Sequence, residues 1–183
     1  SRTDYDLKKH AEHSGAKLSY FDQQKQDPET GKNGWRYTPY VIEPAAGVTR
    51  GLLVYLLDAY HEETVPNADG EDSSRVVMKL HPRLAPIKVA VLPLVKKEGL
   101  PEIAREMVSG FFKAGINARY DEQHSIGKRY RRHDEAGTPY CITIDGQTTE
   151  DGTVTIRDRD TMKQERISKD EALQVVQKRL IES

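Results

Sequence analysis

The chain of 183 residues is 36% hydrophobic and 31% charged, which fits one large domain, or one domain with part of another, beneath a strongly charged surface. No apolar run approaches the roughly 18 residues of a membrane span and no secretory signal opens the sequence, so we expect a cytoplasmic protein without a membrane partner. The net charge of −1 excludes a uniformly basic protein and makes local charge the informative quantity. The only cysteine, Cys141, lies in an apolar run and fits a reducing compartment. Because the chain begins at Ser1 rather than at Met, we expect it to be part of a longer protein.

The first sixty residues predict a β-hairpin followed by a helix. Residues 35–42 are rich in aromatic and β-branched types, which favour a strand, and the turn formers of residues 27–34 connect them to a second apolar run at residues 18–21. Residues 51–60 carry leucines at helical spacing and predict an amphipathic helix.

An acidic segment comes next. Residues 62–72 hold five Asp or Glu residues and no Lys or Arg, and Pro66, Asn67 and Gly70 interrupt them. We interpret this segment as an exposed connection between two domains, since a complete strand–helix pattern begins soon afterwards. The alternative is a surface loop within a single domain.

The rest of the chain alternates between predicted strands and helices. Strands are predicted at residues 87–94, 118–121, 140–145 and 153–158, and helices at 101–114, 125–136 and 168–181. Ser168 with Glu171 three residues later has the spacing of a capping box at the start of the last helix. This order predicts an α/β domain with a mixed β-sheet and helices on its faces.

Residues 39–50 form the first segment whose chemistry is informative. A strand ending at Pro44, a turn of small residues and a helix that opens near Thr49 would leave free backbone N–H groups at the helix start, which suit phosphates. Arg50 would add a guanidinium there, and Glu43 a carboxylate at the end of the strand. The alternative is an ordinary strand–turn–helix with a surface arginine.

The predicted helix at residues 125–136 is the second such segment. Lys128, Arg131 and Arg132 share one face at helical spacing, and Arg129 and His133 share a neighbouring one. Such a face can neutralise RNA phosphates. The alternative is a solvated basic helix paired with its own acidic residues.

Two smaller patterns also have a functional and a structural interpretation. Arg157, Asp158, Arg159 and Asp160 alternate in charge at a strand end, which suits either contacts to RNA base edges or an edge strand protected by charge. His10 and His13 have a spacing seen in metal sites, but no strong third ligand is fixed by spacing, so we expect no metal site.

Residues 39–50 resemble motif 3 of the class II aminoacyl-tRNA synthetases. The wording Val-Ile-Glu-Pro followed by Gly-x-x-Arg is similar to the glycine-specific branch, and residues 1–22 resemble the stretch that precedes this motif there. The resemblance implies that Arg50 contacts ATP and that Glu43 and Arg2 face the glycine substrate. Ala45 departs from the family, which often has Ser after the Glu-Pro pair and uses its hydroxyl to bind the amino acid.

Residues 85–94, 125–139 and 153–161 resemble, in the right order, the anticodon-binding domain shared by the glycyl, histidyl, threonyl and prolyl enzymes. The resemblance implies the C-terminal part of an antiparallel catalytic domain at residues 1–61, a connection at 62–84 and the anticodon-binding domain at 85–183. Asp145 is a weaker candidate for contacting anticodon bases. The implied tRNA-binding residues are Lys128, Arg129, Arg131, Arg132, Arg157, Asp158, Arg159 and Asp160.

The resemblance therefore implies a glycyl-tRNA synthetase, which joins glycine to its tRNA through a glycyl-adenylate. The partners would be glycine tRNA, glycine and ATP, with Mg²⁺ assisting the first step, and the intact enzyme would be a homodimer. Motifs 1 and 2 of the family are absent from the chain, so we expect the chain alone to carry no catalytic residue and to be inactive. The rival class is a non-enzymatic tRNA-binding module or accessory subunit built on the same domain.

Overall fold

The computed structural model describes residues 5–39, 44–66, 72–97 and 99–183, and the chain divides into two compact units, residues 1–46 and 47–183. The first unit contains helix α1 (Tyr5–Ser14) and strands β1 (Tyr20–Gln26) and β2 (Asn33–Tyr37). The two strands pair antiparallel, so the predicted hairpin is confirmed. Residues 40–42 of the predicted second strand lie outside the described residues.

Aromatic side chains hold this first hairpin together. Trp35 stacks on Tyr37 with ring centroids 4.4 Å apart, and Tyr20 meets Tyr37 edge to face across the strands. Lys25 lies over the Tyr37 ring at 4.7 Å. The Tyr20–Tyr37 pair joins the two strands, and cross-strand pairs of this kind stabilise a two-stranded sheet, while the Trp35–Tyr37 stack lies along β2.

The second unit opens with a helix and a hairpin that follow one another without a linker. Helix α2 (Val48–Ala59) ends where strand β3 (Tyr60–Pro66) begins, and β3 pairs antiparallel with β4 (Asp72–Met78). The predicted helix is confirmed, but it begins earlier than the leucines indicated. Seven of its large apolar side chains are exposed, namely Val48, Leu52, Leu53, Val54, Tyr55, Leu56 and Leu57.

Residues 62–84, the predicted connection, include most of β3 and the whole of β4, so this segment contains a β-hairpin that was not predicted. Arg75 and Val77 of β4 are buried on one face of the hairpin. Two of the five acidic residues, Glu62 and Glu63, lie on β3, and Glu63 pairs with Arg75 from directly opposite. A strand whose buried positions are few and partly charged gives no apolar alternation for a sequence to show.

The remaining elements form a five-stranded sheet with helices on both faces. In chain order they are β5 (Val89–Pro93), α3 (Leu100–Lys113), β6 (Ala118–Tyr120), α4 (Ile126–Glu135), β7 (Tyr140–Ile144), α5 (Gly146–Asp151), β8 (Thr153–Asp158), β9 (Gln164–Ser168) and α6 (Ala172–Glu182). The strand order is β6-β5-β7-β8-β9, in which β6, β5 and β7 run parallel to one another, β8 is antiparallel to β7 and β9 is antiparallel to β8. The predicted mixed sheet is confirmed.

The two faces of the sheet differ in chemistry. On one face, side chains such as Val91, Ile142 and Ile156 pack against α3 and α6 in a continuous apolar core. On the other, Leu92 and Cys141 pack against α4 in a much smaller cluster. Helix α4 therefore lies on the more polar side of the sheet, where charged side chains carry much of the packing.

The end of the chain departs from prediction. Ser168 is the last residue of β9 rather than a helix cap, and α6 begins at Ala172 after Glu171, with no side-chain cap among the described residues. The pairing of β9 with β8 draws Ser168 into the sheet, opposite Thr153. Strand β9 and the short helix α5 were not predicted, since both are polar. Across residues 5–39, 44–66, 72–97 and 99–183, no helix combines the length and apolarity that crossing a membrane requires.

Candidate nucleic-acid interface

Helix α2 presents the predicted phosphate-binding end. Its N-cap is Gly47, which has extended backbone and provides no side chain, so the first-turn N–H groups depend on other partners. Arg50 is exposed in this first turn. Glu43 and Arg2, the residues expected to face glycine, lie outside the described residues.

Arg129 of α4 is directed into the protein. Its guanidinium donates to the backbone carbonyls of Pro93 at 2.7 Å, Asp121 at 3.2 Å and Leu94 at 3.3 Å, and the residue is 2% exposed. Burial lowers the pKa of Arg129 from its ordinary value, although Asp121 opposes the shift. The predicted tRNA contact is not available to this side chain, which instead fixes the first turn of α4 to the carboxyl ends of β5 and β6.

The rest of the predicted basic face reaches the surface. Lys128 and Arg131 are exposed, and Arg132 is half-exposed. Arg131 donates to the Ser73 hydroxyl at 2.9 Å, and Arg132 donates to the Asp121 carboxylate at 2.8 Å. The structure thus brings the three predicted residues to one side of α4, with Lys128 the least engaged.

Arg157 lies in the interior under α4. It donates two hydrogen bonds to the Asp134 carboxylate, at 2.8 and 3.0 Å, and its guanidinium lies 4.8 Å from the Tyr130 ring centroid. Burial alone would lower the pKa of Arg157, but the hydrogen bonds to Asp134 outweigh it and raise the pKa. Strand β8 lies between β7 and β9, so neither the predicted base contact nor the alternative of a charged edge strand fits Arg157.

The neighbouring charges at the end of β8 are also engaged. Arg159 is 2% exposed; it donates to the Gly137 carbonyl at 2.9 Å and to both Asp160 oxygens at 2.8 Å. Asp158 accepts hydrogen bonds from the backbone and hydroxyl of Thr161. The two arginines of the predicted base-reading strand end are therefore held in an internal network, whereas the Asp160 side chain is 43% exposed.

The first turn of α4, with Lys128, and the last residue of β8 lie at opposite ends of the strands of the sheet. Asp158 pairs with Tyr140, the first residue of β7, whereas Arg129 places the first turn of α4 beside Pro93, the last residue of β5. Because β5 and β7 are parallel, these positions are at opposite ends of the strands. Lys128 and Asp158 are not brought together.

A different set of polar groups lies where β5 and β7 end, at the C-terminal ends of these two parallel strands, which we call the carboxyl edge. Lys96 and Lys97 are exposed after β5, close along the edge from the first turn of α4. After β7, Asp145 caps α5 and forms a bidentate pair with Arg166 of β9, at 2.5 and 2.9 Å. The Arg166 hydrogen bonds hold the pKa of Asp145 below its ordinary value. The chain leaves β5 for its neighbour β6 through α3 and then crosses back over β5 to β7 through α4, so β5 and β7 flank a topological switch point, the place where open α/β sheets bind ligands.

Comparison with known proteins identifies this unit. Residues 88–179 match the anticodon binding domain family. The chain belongs to the anticodon-binding domain family. It is also 51% identical over 180 residues to a glycine–tRNA ligase of Thermobifida fusca, covering 98% of the chain and 37% of that protein. The glycine–tRNA ligases of Corynebacterium efficiens (54% over 171 residues, 93% and 35% coverage) and Clostridium perfringens (51% over 179 residues, 98% and 36%) are similar in the same way.

These matches confirm the predicted anticodon-binding domain and the resemblance to glycyl-tRNA synthetases. The chain spans a little over a third of the length of the curated relatives it matches. Similarity over 98% of the chain includes the part before the anticodon-binding domain, with the residues that resemble motif 3.

Two features of the anticodon-binding domain were missed from the sequence. Arg166 was not predicted because strand β9, which carries it, was not predicted. In the structure Arg166 lies directly opposite Thr155 and donates to its hydroxyl at 3.1 Å. The inward direction of Arg129 had a signal, since it lies on the same helical stripe as Ile126 and Tyr130, the apolar residues that face the sheet. Among the residues the structure describes, no cluster of three or more His, Cys, Asp or Glu side chains is placed to hold a metal ion.

Proposed function

We propose that the chain is part of a glycine–tRNA ligase, and that its anticodon-binding domain recognises the anticodon loop of glycine tRNA. The observation that carries the proposal is the identity of about 50% to proteins of that name, which extends along 98% of the chain rather than over the binding domain alone. A non-enzymatic module that shared only the anticodon-binding domain would not require this similarity in residues 1–46.

We place the anticodon at the carboxyl edge of β5 and β7. Lys96, Lys97 and Lys128 supply positive charge for phosphates, which position RNA without reading its sequence. The Asp145–Arg166 pair presents an acceptor and a donor to bases, whose edges are open in a single-stranded loop. An Asp accepts from cytosine amino groups, and glycine anticodons end in two cytosines, so the chemistry suits the partner.

The residues assigned to tRNA at the opposite edge provide the competing proposal. Asp158 accepts from Thr161 through one carboxylate oxygen, Asp160 accepts from Arg159, and Arg157 and Arg159 are buried there. Base reading by either arginine would first have to break its internal hydrogen bonds. The carboxyl edge needs only the Asp145–Arg166 pair to exchange partners, and it lies beside the exposed lysines.

The catalytic reaction is proposed for the complete protein. Arg50 would supply charge to the ATP phosphates as glycyl-adenylate forms and pyrophosphate leaves, with Mg²⁺ assisting and with Glu43 and Arg2 at the glycine. A homodimer is the expected assembly.

Glycine–tRNA ligase activity of the full-length protein tests the proposal: glycine-dependent pyrophosphate exchange and charging of glycine tRNA are expected. Charging with another amino acid, or none, would contradict it.

The role of Arg50 has its own test in the full-length protein. Losing one preorganised charge-stabilising group costs roughly a hundredfold to a thousandfold in rate. Arg50→Ala should therefore slow pyrophosphate exchange by about that factor and leave binding of an isolated anticodon hairpin unchanged. Unaltered exchange kinetics would remove Arg50 from the ATP site.

A further inference from the structure

Helix α4 is held from its inner side through one carboxylate. Asp134 is 1% exposed and accepts hydrogen bonds from two arginines on two different elements. Arg157 of β8 donates twice, at 2.8 and 3.0 Å, and Arg75 of β4 donates through Nε at 3.1 Å. A single carboxylate thus joins the helix, the sheet and the β3–β4 hairpin.

Arg75 is the hairpin's contribution to this junction. It is 3% exposed and also donates to the Glu63 carboxylate at 3.2 Å and to the Arg159 carbonyl. All three of its partners are protein groups, and they lie on three different elements or turns. A buried guanidinium whose three nitrogens each donate to a fixed acceptor has little freedom, so it transmits the position of the hairpin to Asp134.

A close backbone contact secures the same junction. Gly137, directly after α4, has φ of +76°, and a Cβ there would lie 3.1 Å from the Met78 carbonyl oxygen at the end of β4. Only glycine fits such a turn and such an approach without strain. The end of α4 and the end of β4 therefore pack backbone to backbone.

The exposed side of α4 depends on this inner attachment. Arg131, one turn before Asp134 and on the outer surface, bonds Ser73 of the same hairpin. Two attachments to the sheet and two to the hairpin fix the rotation of α4, and with it the direction of Lys128. The hairpin precedes residues 88–179, the part that matches the anticodon-binding family.

We propose that Arg75 is a positioning residue for tRNA binding: by holding Asp134 it sets the orientation of α4, so the β3–β4 hairpin is a working part of the anticodon-binding domain. This inference rests on the proposed function. Arg75 itself touches no RNA and acts through α4. Its loss should weaken tRNA binding even though every exposed basic residue remains.

The test compares Arg75→Met and Arg75→Lys with the unaltered full-length protein. The ligand is an RNA hairpin with a glycine anticodon stem and loop, titrated at several salt concentrations well below each protein's melting temperature. Displacing α4 should raise the Kd about tenfold for Arg75→Met, and less for Arg75→Lys, which keeps the charge. Because phosphate contacts are lost with the helix position, the salt dependence of Kd should also become shallower.

Lys113→Met is the control, since it removes one positive charge from the exposed surface at the end of α3, on the opposite face of the sheet. Its Kd and salt dependence should equal those of the unaltered protein. A merely structural Arg75 would lower the melting temperature and leave Kd and salt dependence unchanged in both variants, which would overturn the inference. If Arg75→Met fails to fold, Arg75→Lys decides. Failure of the unaltered protein to prefer a glycine anticodon would count against the proposed function instead.

Discussion

Helices α2 and α4 show opposite relations between hydrophobicity and burial. Helix α2 is apolar on nearly every side, yet only Ala59 is buried among its residues. Helix α4 is strongly polar, yet it buries Arg129, His133 and Asp134. A helix that is apolar all round is normally enclosed by other elements. Burial of these two helices therefore follows the partners that the rest of the chain provides. The polar side chains of α4 have buried polar partners, whereas among the described residues only the last turn of α2 is covered.

Among the substitutions that would disrupt the buried polar contacts of α4, we expect Asp134→Ala to lower the free energy of unfolding most. Asp134→Ala would leave Arg75 and Arg157 buried without their shared carboxylate. Removing one partner of a buried ion pair costs about 3–5 kcal/mol, so the free energy of unfolding should fall by that amount in urea titrations. Asp170→Ala, at an exposed aspartate paired with Lys169, is the control and should change stability by less than about 0.5 kcal/mol. Equal effects of the two substitutions would refute the role given to Asp134.

The second prediction compares two neighbouring basic residues of α4, the buried Arg129 and the exposed Lys128. Arg129→Met leaves the carbonyls of Pro93 and Leu94 without their donor, at about 1–3 kcal/mol of stability for an unsatisfied buried group. Lys128→Ala should leave stability unchanged, weaken binding of cognate and non-cognate anticodon hairpins alike, and reduce the salt slope by about 1. Thermal unfolding and salt-dependent binding measure the two. A salt slope lowered by Arg129→Met with stability intact would reverse the assignment.

A substitution on the exposed apolar surface of α2 should have a smaller effect on stability, and the effect should depend on the length of the protein. In the 183-residue chain alone, Leu57→Asn replaces an exposed side chain, and the free energy of unfolding should change by no more than about 0.5 kcal/mol. In the full-length protein the same substitution should destabilise by about 2 kcal/mol or more, because a leucine enclosed by added structure would be lost. Chemical denaturation of both lengths gives the comparison. Identical changes in the two would show that α2 stays exposed.

The smallest effect is a pH dependence carried by His133. Burial lowers the pKa of His133 below 6.5, although Asp121, 3.4 Å away, opposes the shift. The unfolded chain then binds the proton at higher pH than the folded one, so this contribution to stability is present above pH 6.5 and is lost as pH falls through the folded-state pKa. His133→Gln should flatten the decline in stability between about pH 7 and pH 5. A decline of unchanged slope would exclude His133 as its source; His124→Gln, at an exposed histidine, serves as control.

The sequence predicted those parts of the fold whose burial is apolar. Strands β5, β7 and β8 and helix α3 were found because their runs of Val, Ile and Leu end at Pro, Gly or polar turns. Strands β4 and β9 escaped, since their stabilising contacts are ion pairs and ladder hydrogen bonds with distant partners.

The candidate site was harder to predict for a related reason. A list of basic residues does not show which of them face inward, and Arg129, Arg157 and Arg159 have the same composition signal as Lys128 and Arg131. The apolar stripe of α4 indicates the inward direction of Arg129, but only the tertiary partners, Asp134 for Arg157 and the Gly137 carbonyl for Arg159, show that the other two are buried. The resemblance to a family was enough to predict the anticodon-binding domain, whereas the direction of each charged side chain could be seen only in the folded structure.

The most direct test of the central claim compares the two edges of the sheet. Asp145→Ala and Asp158→Ala are made in the full-length protein, and Kd is measured for hairpins with a glycine anticodon and with its two cytosines replaced. If the carboxyl edge reads the anticodon, Asp145→Ala should lose about 1–3 kcal/mol of discrimination and Asp158→Ala none. Loss of discrimination by Asp158→Ala, with Asp145→Ala unaffected, would place the reading edge at the other end of the strands and contradict the account.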